Sequence, residues 1–217
     1  MDWLRRLRGL FPPAEEPAEE PEPDRGPIQR SAPGIRAMFE RLSGDDSCAV
    51  LDLGSAAGEG LQILQRFAGR VRFADLLAVR AEKGFPAALE ALPSDPERPF
   101  DLIFTWNALD RLRPRERELL MERLAEISAP DARLHTIVGT TDTPHSDSGE
   151  IPYRFGLLDV DRIRYELSGR TEPYREELLP ADVEELLAPF TVSRGYTLKS
   201  GLREYVAVRG GRRGRTD

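Results

Sequence analysis

The chain has 217 residues, with 38 acidic against 31 basic side chains and a formal net charge of −7. That length suits one α/β domain with appendages, not two full domains, and the acidic balance argues against a general polyanion binder, which needs a net basic face. The single cysteine, Cys48, makes no internal disulfide, and no apolar run approaches the roughly 20 residues of a membrane-spanning helix, so a reducing, cytoplasmic setting is expected.

Residues 1–12 open with MDWLRRLRGLF, where Trp3, Leu4, Leu7, Leu10 and Phe11 stand against Arg5, Arg6 and Arg8. The spacing predicts a short amphipathic helix able to dock weakly on a membrane surface or a partner through residues 1–11. Residues 13–30 are rich in proline and glutamate and almost without apolar side chains, so they are expected to be a disordered linker. The folded domain is expected over residues 31–209, with 210–217 a disordered tail. Its RGGRRGR run is too short, on so acidic a chain, to argue for nucleic acid.

Within the domain, SAPGIRAMFERLSGDD places Ile35, Met38, Phe39 and Leu42 at helical spacing behind a serine and an early proline. CAVLDLG then reads as a strand, EGLQILQRFAG as a helix ended by Gly69, and RVRFADLL as a second strand. FDLIFTW is a nearly all-apolar strand suited to a sheet centre, followed by the helix RPRERELLMERLAEIS and the strand ARLHTIVG. Alternating strands and helices predict an α/β fold with a mostly parallel sheet and helices on both faces. The end differs, because TVSRGYTL and REYVAVRG follow the helix PADVEELLAPF with only a short join, which predicts an antiparallel carboxyl-terminal β-hairpin.

The stretch AVLDLGSAAGEGLQIL joins a strand to a helix through small residues. Small residues let the backbone approach a ligand, and amides at a helix start favour a polar or anionic partner; a plain strand-to-helix turn is the alternative. Asp75, 23 positions after Asp52, ends the second strand, where nucleotide-binding folds place an acid that holds ribose hydroxyls.

This combination resembles the class I S-adenosylmethionine-dependent methyltransferases over roughly residues 35–209. Their first motif is matched by Asp52, Gly54 and Gly58, with Ala56 at the middle glycine position. The order of the remaining elements, down to the terminal hairpin, is similar to the family's Rossmann-like fold. The resemblance implies S-adenosyl-L-methionine as cofactor, with Asp52 near its methionine end, Gly54, Ala56 and Gly58 along its path and Asp75 on the ribose. The interval from Asp75 to Asp101 is short for the family, which fits a third strand there and an acid on the adenine; the loop acid Asp95 is expected in that place. Trp106 and Asn107 fall where the family turns side chains towards cofactor or substrate, although Trp106 also suits core packing.

Asp110 stands where a base towards the acceptor is expected, or else a helix cap. His145 and Tyr153 lie after the fifth strand, in a stretch from 140 to 180 long enough for a lid or substrate wall, and are expected at the acceptor. His135, in an apolar strand, reads as structural. Histidines and the cysteine are not at ligand spacing, so no metal is expected. The function implied is methyl transfer to a small molecule or a protein side chain. The alternative is a methyltransferase-like binding or scaffold protein without turnover; a nicotinamide oxidoreductase is disfavoured by the incomplete glycines and the terminal hairpin.

Overall fold

Two strands with scarcely a polar side chain set the middle of this molecule: buried on both faces, they draw helices over each side. The computed structural model describes residues 27–40, 47–56, 58–139, 152–167, 178, 179, 181–198 and 201–210. The elements are β1 (Ile28–Ser31), α1 (Pro33–Phe39), β2 (Ala49–Asp52), α2 (Gly58–Leu64), β3 (Arg70–Phe73), α3 (Leu76–Lys83), α4 (Phe85–Glu90) and β4 (Phe100–Trp106). After these come α5 (Ala108–Arg111), α6 (Pro114–Ile127), β5 (Ser128–Val138), β6 (Pro152–Asp159), β7 (Arg162–Leu167), α7 (Asp182–Leu186), β8 (Phe190–Thr197) and β9 (Arg203–Arg209).

The main sheet has six strands in the order β3-β2-β4-β5-β9-β8. Its first four strands are parallel, while β9 pairs antiparallel with both β5 and β8, which is the expected terminal hairpin. Side chains alternate along β2 and β4. Leu51 and Ile103 pack with α3, α5 and α6 on one face, and Val50, Leu102 and Phe104 with α1 and α2 on the other. Ile103 and Phe104 have no exposed surface, so each holds about 1.5–3 kcal/mol of burial at the sheet centre.

A second sheet, in the order β1-β7-β6, packs on the α1 and α2 face through Phe155, Leu157, Ile163 and Tyr165. It corrects one expectation. Residues 28–30 were assigned to the linker, yet β1 pairs antiparallel with β7 from Ile28 opposite Tyr165 to Ser31 opposite Arg162, so the folded part begins before Ser31. Part of the 140–180 stretch is this antiparallel β6–β7 hairpin. Between Asp75 and Asp101 stand α3 and α4 with no strand, so β3 forms an edge of the main sheet.

Two helices are shorter than their patterns suggest. After Leu64, Arg66 and Phe67 donate to carbonyls three residues back, and after α7 Ala188 and Phe190 do the same, so each helix ends in a tighter turn. The segment 1–11 and residues 211–217 lie outside the described residues. No helix among the described residues is long and apolar enough to cross a membrane.

Candidate functional site

Three parallel strands end at one level. Asp52, the last residue of β2, lies opposite Phe73 of β3 and Phe104 of β4. Beyond these ends the chain remains tied: Leu53 donates its amide to the Phe104 carbonyl at 2.9 Å, and Ala74 to that of Asp52 at 2.8 Å. Gly54, Asp75 and Asn107 therefore emerge together at the carboxyl edge of the sheet, where open α/β sheets bind ligands.

A cleft of about 190 Å³ opens at this edge. Leu53, Gly54 and Ser55 line it from β2, Asp75, Leu77, Ala78 and Ala81 from the β3–α3 side, and Thr105 to Ala108 with Arg111 from β4 and α5. Arg154 and Phe155 of β6 close it from the small sheet. One wall is thus apolar, with an acid at its rim, and the others bring hydroxyl, amide and guanidinium groups.

Trp106 occupies the turn out of β4 with φ 51°, in the left-handed region that costs a bulky residue about 1–2 kcal/mol. Several contacts offset that cost. The indole N–H donates to Asp52 Oδ1 at 2.6 Å, and the Thr136 hydroxyl donates to the Trp106 carbonyl at 3.0 Å. The ring stacks on Phe155 with centroids 6.2 Å apart and planes at 9°, on Phe104 at 5.6 Å, and meets His135 edge-on at 5.7 Å. Trp106 is buried in the core and also lines the cleft.

Asp52 is 5% exposed and also accepts the Gly54 amide at 2.8 Å. Burial pushes its carboxyl from 3.8 up to about 6; the bonds from Trp106 and Gly54 pull the other way, and the charge of Asp75 adds to the rise. A Cβ on Gly54 would stand 3.0 Å from the indole and 3.1 Å from Asp52 Oδ1, so a side chain there would crowd the packed turn. Asp75 caps α3, accepting the Ala78 amide at 3.0 Å through Oδ1.

Of the expected residues, the structure gathers Gly54, Asp75, Trp106 and Asn107 in the cleft wall. Asp52 stands behind them and is not among the lining residues. Ala56 is exposed on the turn and not in the lining, and Gly58 begins α2.

Two expectations are corrected. Asp95 is not in the cleft: it precedes β4, pairs with Arg70 at 2.9 Å and caps the turn to Arg98, at the amino ends of the strands. Asp110 is 4% exposed, outside the cleft lining, and accepts the Gly139 amide at 2.8 Å, so the short α5 turns it inward to tie down the chain just after β5. His145 lies outside the described residues, as does the side chain of Tyr153, whose backbone is in β6. His135 is fully buried with Nε2 2.7 Å from Glu204, which fits its structural reading. Among the described residues, no three His, Cys, Asp or Glu side chains are grouped to hold a metal.

The apolar wall of Leu77, Ala78 and Ala81, together with Arg111, was missed by sequence reasoning. Its signal was the helical spacing immediately after Asp75, a helix start that faces the same edge. Phe155 was missed as well, although it alternates with Leu157 as in a strand.

No protein-family profile matches the chain. A Frankia alni protein provisionally named an S-adenosyl-L-methionine-dependent methyltransferase is 30% identical over 156 residues, which take in 65% of this chain and 45% of that protein. The match thus spans less than half of that relative's length. The crystal structure of an S-adenosylmethionine-dependent methyltransferase from Mesorhizobium loti superposes with a TM-score of 0.52 at 14% identity, over 82% of this chain and 96% of that one. The chain thus has the Rossmann-like fold of that structure, with alanine at position 56 between Gly54 and Gly58 and two helices, α3 and α4, between Asp75 and Asp101.

Proposed function

We propose that the chain binds S-adenosyl-L-methionine in the cleft at the ends of β2, β3 and β4 and transfers its methyl group to a small molecule or a protein side chain. The observation that carries this reading is the convergence of the Gly54–Ser55 turn, Asp75 and Asn107 on one cleft. The name of the Frankia relative supports it.

The residues present fit the cofactor's chemistry. Asp75 offers a carboxylate for the ribose hydroxyls, and Leu77, Ala78 and Ala81 an apolar wall for a purine face. Ser55 and Asn107 offer polar groups to the cofactor's own polar atoms. The cofactor supplies a methyl group already activated on a sulfonium, so the protein's work is to orient an acceptor in line with it and to exclude water.

Calorimetric titration with S-adenosylmethionine and S-adenosylhomocysteine tests the proposal. Saturable binding of both is expected; no heat with either at about millimolar ligand, the weak end of specific affinities, would reject it.

A further inference from the structure

Asp52 is the acid of the first motif, yet it faces the protein's own groups. One carboxylate oxygen takes both the Gly54 amide and the Trp106 indole N–H. The backbone at Trp106 is left-handed, a conformation unfavourable for so bulky a side chain, and it sets the next residue, Asn107, at the start of α5 and in the cleft wall. Gly54 and the indole fit against each other closely enough that a Cβ on Gly54 would stand 3.0 Å from the ring. The two turns that build the cleft, one from β2 and one from β4, therefore meet at a single buried oxygen.

Resting on the cofactor reading above, we infer that Asp52 is a positioning residue: it locks Trp106 and Gly54 so that Asn107 and Ser55 face the cofactor, and it does not itself touch the cofactor's ammonium group.

Calorimetry on the full chain separates the two roles, using S-adenosylhomocysteine and methylthioadenosine, which lacks the amino-acid end. Asparagine keeps an oxygen for both donors, so Asp52→Asn holds both affinities within about threefold of wild type, whereas Asp52→Ala weakens both together by about tenfold or more. The Trp106 indole N–H resonance stays downfield in Asp52→Asn and moves upfield in Asp52→Ala, with or without ligand. Should Asp52→Ala fail to fold, Trp106→Phe removes the same donor and is expected to weaken both ligands equally. A loss beyond about tenfold for S-adenosylhomocysteine in Asp52→Asn, with methylthioadenosine unaffected, would overturn the inference, because only a carboxylate on the ammonium discriminates in that way. An unmoved indole resonance in Asp52→Ala would overturn it as well. If the wild type binds neither ligand, the cofactor reading fails separately, and the indole resonance still decides whether Asp52 holds Trp106.

Discussion

Glu204 on β9 accepts the backbone amide of Gly34 at 2.7 Å, across 170 positions of sequence. The same buried carboxylate takes the Ile35 amide at 3.0 Å and faces His135 Nε2 at 2.7 Å. It thereby joins the start of α1 to the neighbouring strands β5 and β9 of the main sheet. A Cβ on Gly34 would stand 2.5 Å from Glu204 Cδ. Gly34→Ala is accordingly expected to destabilise the chain by about 1–3 kcal/mol, the cost of overpacking a closed site. Chemical denaturation reads this, and an unchanged midpoint would mean that Glu204 moves aside freely.

Asp52 gives the fold a pH dependence of definite sign. Its carboxyl titrates near 6 in the folded chain against 3.8 ordinarily, so the folded state holds the proton more tightly. Its contribution to stability is fully present below about 3.8 and is lost as pH rises through about 6. Asp52→Asn removes this dependence, so its stability relative to wild type should rise across that window by about 3 kcal/mol. Denaturant titrations of both chains from pH 4 to about 7 check it; parallel curves would contradict the assignment.

Asp75 has two tasks that can be separated. Asparagine still caps α3, so Asp75→Asn should keep the thermal midpoint near wild type while weakening S-adenosylhomocysteine by about tenfold, through loss of a charged acceptor for the ribose. Asp75→Ala should lose both, with about 1 kcal/mol of stability gone along with the cap. Equal affinity in all three chains would place the ribose elsewhere.

The amino-terminal boundary is sharp in physical terms. A chain beginning at Pro27 keeps the β1–β7 pairing, and one beginning at Ala32 loses all of it. The first should melt within a few degrees of the full chain and the second clearly lower, as calorimetry would record. Equal melting would show that β1 adds nothing to the small sheet.

His145 and Tyr153 are expected at the acceptor and Asp110 is not. In an assay with an identified acceptor, His145→Ala or Tyr153→Phe should lower turnover by about tenfold or more with S-adenosylhomocysteine affinity kept, as for groups acting in the transition state. Asp110→Asn should keep turnover within about threefold while lowering stability by about 1 kcal/mol, because the charged acceptor of the Gly139 amide is lost. The reverse pattern would return Asp110 to the chemistry.

How much of this was legible beforehand depended on the range of the interaction. FDLIFTW matches β4 residue for residue because an apolar run buried on both faces carries its own signal. The Asp52, Gly54 and Asp75 order was legible because strand, turn and helix follow one another locally. β1 was not, since Ile28–Ser31 has no alternation and takes its strand geometry from β7, far along the chain. Asp95 was misassigned, although its place before β4 puts it at the amino end of that strand, opposite the ligand edge. For Asp110 the loop was right and the direction wrong. Four residues of helix turned the carboxylate inward, and spacing alone does not encode that rotation.

The link from Glu204 to Gly34 also orders events in time. Chains are made from the amino end at about 5–20 residues per second, so α1 emerges on the order of ten to thirty seconds before the carboxylate that caps it exists. At seven residues, α1 is too short to persist alone. The cleft-bearing strands β2 to β5 are complete well before then, so these strands and their ligand edge are synthesised ahead of the element that finally latches α1 to the sheet.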